Sequence, residues 1–224
     1  MVHVAFAGTA VVLKTVQGTR EQERGALLRQ CAAQGIWAGV AWGEPGEAPR
    51  ANLRRLLHMG IESGKPWLMH LEDDAYLAPD FTERVGVCLC SISECMWTFY
   101  SARKEDEAAL AAGRLFRRVS PGAFANSQCV VLPASHLPEV LHYLPQWEAE
   151  HLEHRSAVDY FLGAYCGRVG LPIYAAVPPA VQHREVPSLL GHRARYGRVS
   201  RAFAACYGPT PTPEETCTSP GPTS

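Results

Sequence analysis

Residues 66–81, PWLMHLEDDAYLAPDF, decide how the rest of the chain is interpreted, because an apolar run ends there in three carboxylates, Glu72, Asp73 and Asp74. The run from residue 67 to residue 71 predicts a short buried strand. Adjacent acids at the end of a core strand need a cation to neutralise them. The segment therefore predicts a strand that leads directly into a charged site.

A divalent metal is the first candidate for that cation. Mg²⁺ and Mn²⁺ prefer carboxylate oxygens together with substrate phosphates, and ligands of open α/β sheets bind at the carboxyl ends of the strands. A nucleotide diphosphate held through a metal would satisfy both preferences. The alternative is an ordinary surface turn that begins with the acids and continues through Ala75, Pro79 and Asp80.

Upstream of the acids the pattern alternates strand and helix. Strands are predicted at residues 2–8 and 36–42, with a loop after the first that ends at Gly18. Helices are predicted from Thr19, as N-cap with Gln22 at capping-box spacing, to a stop at Gly35, and over residues 50–64. This βαβ rhythm predicts a parallel sheet whose third strand carries the acids.

The downstream elements complete a predicted α/β domain. They are a helix at 81–93, a strand at 96–101, a polar segment at 103–114 that is either a solvated helix or mobile, paired strands at 115–120 and 126–133 around the turn 121–124, helices at 135–147 and 154–170, and an extended stretch at 171–183. The turn could present backbone N–H groups to a substrate. Residues 1–207 are predicted to form one domain, and residues 208–224, rich in Pro, Thr, Ser and Gly, a disordered tail.

Composition is that of an ordinary soluble protein. The 224 residues are 47% hydrophobic and 19% charged, and a net charge of −1 gives no overall attraction to nucleic acid or membranes. The N-terminus lacks a leading positive region, and no apolar run approaches the length of a membrane span, so a cytoplasmic location is expected. The eight cysteines are then expected to be reduced, mostly buried thiols.

Five segments together resemble the small glycosyltransferases of the GT-A fold. They are RAN at 50–52, WLMHLEDDAYLAPDF at 67–81, FANSQCVVLP at 124–133, VDYFLGAYC at 158–166 and PPAVQHREVPSLLGH at 178–192. LEDDA is similar to the metal motif of the lipopolysaccharide and procollagen type, and the D-x-x-L and P-x-x-x-QH patterns are also similar to branching N-acetylglucosaminyltransferases. The resemblance spans residues 2–200 and implies a single GT-A-like domain.

The resemblance implies a site for a nucleotide sugar and for Mn²⁺ or Mg²⁺. The metal ligands it implies are Asp74, Asp73 and His183. The expected donor contacts are Arg50 and Asn52, which precede the helix that leads to the metal strand, together with Glu72. Thr9 and Arg20, after the first strand, are expected in the same pocket, with ordinary loop and capping chemistry as the alternative. Contacts to phosphate or acceptor are expected from Gln128, Arg184, Ser188 and Arg193.

Asp159 is the residue implied as the base, by similarity to the VD-x-x-L helix. An inverting transfer needs a carboxylate that accepts the acceptor's proton. Asp80 and Glu185 are alternatives, and Asp159 could instead serve only as an acid favoured at a helix N-terminus. If no carboxylate is suitably placed, a retaining mechanism that uses the leaving phosphate is the alternative.

The function expected from these features is metal-dependent transfer of a sugar, from a UDP-sugar by preference, to an acceptor hydroxyl with inversion. The acceptor could be a glycan, a protein or a hydroxymethylated base of phage DNA. The arginine-rich residues 184–201 could bind such DNA, grip the donor diphosphate as a flap, or form an ordinary solvated helix. A nucleotidyltransferase and a non-catalytic binding module are the alternatives. The former should carry a glycine-rich, lysine-containing loop after its first strand, and AGTAVVLKT at 7–15 has the lysine without the glycines.

Overall fold

The computed structural model describes residues 6–125, 127–151, 158–184 and 199–209. The strands are β1 (Thr9–Val16), β2 (Ala38–Gly43), β3 (Trp67–Glu72), β4 (Ala75–Leu77), β5 (Met96–Thr98), β6 (Phe116–Val119), β7 (Cys129–Pro133), β8 (Ile173–Ala176) and β9 (Val181–His183). The helices are α1 (Glu21–Ala33), α2 (Pro49–Glu62), α3 (Phe81–Ser91), α4 (Lys104–Ala111), α5 (Leu137–Glu150), α6 (Val158–Val169) and α7 (Arg201–Tyr207). Single 3₁₀ turns cover Pro121–Ala123 and Ala134–His136.

A seven-stranded sheet in the order β2-β1-β3-β7-β5-β8-β6 forms the centre of the domain. Strand β1 pairs in parallel with both β2 and β3, and β5 pairs in parallel with β8. Only β7 and β6 run in the opposite direction within this sheet. The prediction of an α/β domain with a mostly parallel sheet is therefore confirmed.

Helices cover both faces of the sheet and bury one apolar cluster on each. On one face α2, α5 and α6 pack side chains such as Leu57, Leu144 and Phe161 against the strands. On the other face α1 and α3 contribute residues such as Leu27 and Val85. Because both faces are buried, the strands can be continuous apolar runs, as parallel sheets require.

The predicted position of the first strand is wrong. Strand β1 begins at Thr9, where a loop was predicted, and residues 2–5 of the predicted strand lie outside the described residues. Val11, Val12 and Leu13 are almost fully buried because β1 has a strand on each side and a helix layer on each face. This shift moves the carboxyl end of the strand from residue 8 to residue 16.

The start of the first helix also differs from the prediction. Thr19 does not cap it, because the Thr19 hydroxyl donates to the Val16 carbonyl at 2.9 Å. The N-cap is Arg20, whose side chain makes no capping hydrogen bond. The other predicted helices at 50–64, 81–93 and 135–147 are confirmed as α2, α3 and α5, and the strands at 36–42, 67–71 and 96–101 as β2, β3 and β5. The helix predicted at 154–170 is confirmed as α6 from Val158 onwards, and residues 154–157 lie outside the described residues.

Three further expectations need correction. Strands β6 and β7 do not pair with each other, since β7 lies between β3 and β5 while β6 pairs with β8. The segment 103–114 is not wholly solvated, because Asp106 of α4 is fully buried and bonds Arg117 Nε at 2.6 Å. The extended stretch at 171–183 divides into β8 of the large sheet and β9, which pairs with β4 in a separate two-stranded sheet.

No helix among the described residues has the length and apolar character needed to cross a bilayer. Gly208 and Pro209 follow α7, and the remainder of the predicted tail, residues 210–224, lies outside the described residues.

Candidate functional site

The carboxyl ends of the parallel strands β1, β2 and β3 meet at one edge of the sheet. In the pairing register Lys14 of β1 lies beside Glu72 of β3, so the acids begin where both strands end. Asp73 and Asp74 form the turn between β3 and β4. Because β4 pairs with β9, Ala75 lies opposite His183. This pairing brings β9, from late in the sequence, to the same edge.

Asp73 and Asp74 are held in nearly complete burial by a network of donors. Thr15 Oγ1 donates to Asp73 Oδ2 at 2.8 Å. Arg20 Nη1 donates to Asp73 Oδ1 at 2.9 Å and to Asp74 Oδ2 at 2.5 Å. Burial raises the pKa of the Asp73 carboxyl, although Arg20 opposes this effect. One guanidinium nitrogen thus occupies the position between the two acids.

His183 approaches the same carboxylate from β9. Its Nε2 atom lies 3.3 Å from Asp74 Oδ2, and both side chains are 4% exposed. Within the described part of the chain, Asp74 Oδ1 and His183 Nδ1 are buried and have no hydrogen-bond partner. Buried polar atoms are usually satisfied, so each of these two atoms is available to a further partner.

Glu72 occupies a separate position, next to Lys14. Lys14 Nζ lies 3.1 Å from Glu72 Oε1, and Ser127 Oγ donates to the same oxygen at 2.8 Å. Burial by itself would raise the pKa of Glu72, but the Lys14 ammonium and the other donors outweigh it and lower that pKa to about 2. The Gln128 carbonyl accepts from the Glu72 N–H at 2.9 Å, so Gln128 also lies at this edge.

Asp159 lies in the first turn of α6 and is partly buried. Its Oδ1 atom accepts a 3.0 Å hydrogen bond from the Tyr160 N–H. Burial raises the pKa of Asp159, and the negative charge of Glu72 adds to the increase. The role of Asp159 as a base stays a prediction, and its electrostatic interaction with Glu72 is consistent with a position towards the acidic edge.

A mostly apolar cavity of about 360 Å³ lies against α6. Tyr160, Gly163, Ala164 and Gly167 form its α6 wall, and the 3₁₀ turn 121–123 and the end of α5 complete it with Pro121, Gly122, Trp147 and His151. Its size falls within the range of small-molecule sites. Asp159 is not one of these lining residues, although it directly precedes Tyr160 in the same helix.

Arg184 continues from β9 directly behind the acids. Its backbone N–H donates to the Asp74 carbonyl at 2.8 Å, and its guanidinium carbon lies 5.2 Å from the Tyr76 ring centroid. Burial lowers the pKa of this guanidinium. The Gln182 side chain of β9 accepts a 2.9 Å hydrogen bond from the Ser200 N–H. Ser200, which follows the arginine-rich segment in sequence, is therefore held against β9.

Other candidate residues lie elsewhere or have different partners. Thr9 is at the amino-terminal end of β1, beside Trp67, and so about 17 Å from the level of Lys14. Its assignment as a donor contact is wrong because the first strand begins, rather than ends, at this residue. Arg50 is 1% exposed, with Nε 3.4 Å from Glu148 Oε1, so it joins α2 to α5.

Asn52 lies near the carboxyl edge of the sheet, but its side-chain amide is bonded to the backbone of β1. Its Nδ2 atom donates to the Thr15 carbonyl at 2.8 Å and packs against Gly43. Asp80 lies before α3 and pairs with Arg84 at 3.1 Å. Glu185, Ser188 and Arg193 lie outside the described residues.

The sequence interpretation missed Lys14, Thr15 and Ser127. Lys14 and Thr15 follow the apolar run Val11–Leu13 directly, which is the signal that could have identified them as the carboxyl end of a buried strand. Ser127 had no comparable signal, because only the pairing of β7 with β3 brings it to Glu72.

The donor types suit a hard divalent cation, but they are not arranged as a finished metal site. Asp73, Asp74 and His183 offer two carboxylates and one imidazole, and the free Asp74 Oδ1 atom is an available oxygen ligand. No group of three or more His, Cys, Asp or Glu side chains in the described ranges is positioned to hold a metal. The guanidinium of Arg20 lies between the two acids instead.

Comparisons with known proteins assign no family. No family model and no curated protein matches the chain. Among solved structures, it is similar to a glycosyltransferase involved in glycosylation of the major capsid of PBCV-1, with a TM-score of 0.42, 14% identity, and 63% of this chain and 68% of that chain covered. It is also similar to the mannose-1-phosphate geranyltransferase of Thermus thermophilus, with a TM-score of 0.42, 12% identity, and coverages of 75% and 73%. Likenesses this weak assign no activity.

Proposed function

We propose that the protein is a metal-dependent glycosyltransferase that moves a sugar from a nucleotide-diphosphate sugar, by preference a UDP-sugar, to an acceptor hydroxyl. The observation that carries the proposal is the convergence of Asp73, Asp74 and His183 at the carboxyl edge of β1 and β3. Ligands of α/β sheets bind at this edge, and two acids with an imidazole suit Mn²⁺ or Mg²⁺. The metal supplies stabilisation of the negative charge that develops on the leaving diphosphate.

The chain provides fixed positive charge around the proposed diphosphate position. Lys14 and Arg184 each contact the acidic segment 72–75, Lys14 through its ammonium and Arg184 through its backbone N–H. Preorganised cations of this kind stabilise a charged leaving group without having to reorganise during the reaction. Arginine can also bind a phosphate with two parallel hydrogen bonds. These residues support the donor assignment over a neutral ligand.

Asp159 is the proposed base in an inverting reaction. A carboxylate whose pKa is raised towards neutrality is a better proton acceptor than an ordinary aspartate, and burial raises the pKa of Asp159 in this way. The neighbouring cavity of about 360 Å³ is the proposed acceptor position, since Tyr160 lines it directly after Asp159 in the chain. A glycan, a protein and DNA are the three proposed classes of acceptor.

Calorimetric titration with UDP, GDP and CDP, each in Mn²⁺ and in EDTA, tests the proposal. We expect one diphosphate to bind only with metal, and Asp74→Asn and His183→Ala to weaken that binding at least about tenfold, since charged contacts to ligands contribute about 1.5–3 kcal/mol each. Asp80→Asn is the matched control, because Asp80 pairs with Arg84 and not with the acidic turn.

Two results would contradict the proposal. Binding of none of the three nucleotides in Mn²⁺ would remove the donor site and favour a binding module. Equal loss in Asp80→Asn and Asp74→Asn would show that the effect arises from general destabilisation and not from the site.

A further inference from the structure

The position of Arg20 between Asp73 and Asp74 has a consequence for metal binding. We propose that Arg20 is a built-in competitor of the divalent cation: it neutralises the acids in the metal-free protein and must leave them before the metal binds. This inference rests on the proposed function, because it concerns the metal site of that reaction. Arg20 thereby stabilises the two acids when no metal is bound and makes metal binding conditional on its own displacement.

The contacts of Arg20 are those of a replacement cation. A single nitrogen, Nη1, lies within hydrogen-bonding distance of both carboxylates, 2.9 Å from Asp73 Oδ1 and 2.5 Å from Asp74 Oδ2. The Arg20 side chain is 12% exposed, and the acids are 6% and 4% exposed. Two carboxylates this deeply buried require a positive charge close by, and Arg20 provides it.

Arg20 leaves part of the acidic site unsatisfied. Asp74 Oδ1 and His183 Nδ1 are buried without a hydrogen-bond partner among the described residues. Both side chains are 4% exposed and belong to the donor set of the proposed metal site. A guanidinium has a fixed planar geometry and does not use all the donor atoms that a metal would use. The site therefore accommodates Arg20 and still carries one unused carboxylate oxygen, Asp74 Oδ1, for a different cation.

The backbone of Arg20 supports a specific role for its side chain. Arg20 has φ of 46° and ψ of 40°, and it is the only non-glycine residue with positive φ among the described residues. This left-handed conformation favours glycine, and strained conformations of other residues tend to occur at functional sites. Here the conformation begins α1 and places the guanidinium at the two carboxylates.

Competition follows from charge. A divalent cation at Asp73 and Asp74 would lie next to the guanidinium, and like charges at such distances repel strongly in a buried site. The metal and Arg20 therefore exclude each other from the carboxylates. Once displaced, the guanidinium is at the strand edge where the donor diphosphate is proposed to bind, and there it could form charge-assisted hydrogen bonds with phosphate.

Titration of the nucleotide-free protein with Mn²⁺, followed by electron paramagnetic resonance of the free ion, tests the competition. We expect Arg20→Gln to bind Mn²⁺ about tenfold or more tightly than the wild type, within the usual range of coupling between two sites. Arg20→Gly is the second variant, because it removes the guanidinium and also relieves the left-handed backbone. Without metal both variants should melt at a lower temperature than the wild type, and saturating Mn²⁺ should reverse this loss.

Arg24→Gln is the matched control. Arg24 donates to the Thr19 carbonyl and lies over the Trp42 ring, and these contacts do not involve Asp73 or Asp74. Its Mn²⁺ affinity should equal that of the wild type. Equal or weaker Mn²⁺ binding in both Arg20 variants, with Asp74→Asn abolishing it, would overturn the competition and leave the proposed function intact. No Mn²⁺ binding by any of these proteins, even with nucleotide, would overturn both.

Discussion

The fold shifts the pKa values of the Glu72 and Asp159 carboxyl groups in opposite directions. The Lys14 ammonium and the Ser127 hydroxyl help to lower the pKa of Glu72 to about 2, whereas burial raises the pKa of Asp159. Two titratable groups with divergent pKa values commonly divide the acid, base and electrostatic roles of a reaction. We interpret Glu72 as a permanently ionised group that fixes the Lys14 position, and Asp159 as the group that exchanges a proton.

Asp159→Asn should separate activity from stability. We expect sugar transfer to fall about 10²–10⁴-fold, the usual contribution of a positioned base. Because the raised pKa of Asp159 shows that the folded protein disfavours its ionised form, the neutral amide should leave the melting temperature at pH 7 unchanged or slightly higher. Turnover with the donor identified by calorimetry, and thermal unfolding, provide the two measurements.

Asp80→Asn is the control for both measurements, since Asp80 is the alternative base and pairs with Arg84. Transfer by Asp159→Asn at nearly the wild-type rate would contradict the assignment of the base. A marked fall in its melting temperature would instead show that Asp159 is needed to hold the start of α6.

At the scale of elements, the sequence predicts the strands and helices whose residue pattern is local to the element. The strand that ends at Glu72 is recognisable because four apolar residues, Trp67, Leu68, Met69 and Leu71, precede three acids. Strand β1 was misplaced because residues 2–8 and 9–16 both have apolar character. Only pairing with β2 and β3 decides between them, and strand formation depends strongly on such context.

The approach of His183 to Asp74 could be predicted only through a resemblance. Strands β4 and β9 have three residues each, too few to show a period, and they are separated by about a hundred residues in the chain. Thr15 and Ser127 reach the acids through sheet pairing in the same way. The site is therefore made mainly by topology, whereas its acidic residues are visible in one local stretch.

Helix α6 depends on close contact with the 3₁₀ turn 121–123. A Cβ atom added at Gly163 would lie 2.5 Å from the Pro121 carbonyl oxygen, closer than atoms can pack. We therefore expect Gly163→Ala to lower the free energy of unfolding by about 1–3 kcal/mol, despite the higher helix propensity of alanine. Because Gly163 also lines the cavity beside Asp159, the same change should weaken acceptor binding more than donor binding.

Gly122→Ala is the matched control on the other side of this contact, because a Cβ atom there meets nothing within 4 Å. Denaturant unfolding of the two variants measures the difference. Equal stability of Gly163→Ala and Gly122→Ala would show that α6 can move away from the turn without cost.

At the scale of the whole molecule, the charged edge is built on a sheet that also buries a histidine. His70 of β3 is 2% exposed and lies between Val12 and Val130 in the pairing register. Neither ring nitrogen has a hydrogen-bond partner in the described part of the chain. Burial, assisted by the positive charge of Lys14, lowers the pKa of His70 to about 3.

His70 should make the stability of the whole fold sensitive to mild acid. The ordinary pKa of 6.5 applies in the unfolded chain, so between about pH 6.5 and pH 3 the unfolded state binds a proton that the folded state excludes. Stability should therefore fall by up to about 1.4 kcal/mol per pH unit in this window.

His70→Leu should abolish this part of the pH dependence of stability and, by removing an unsatisfied polar ring, raise stability at pH 7. Urea unfolding at pH 7, 6 and 5 measures how the free energy of unfolding depends on pH. His58→Leu, on the exposed face of α2, is the control. Parallel loss of stability in His70→Leu and wild type would assign the acid sensitivity to other groups.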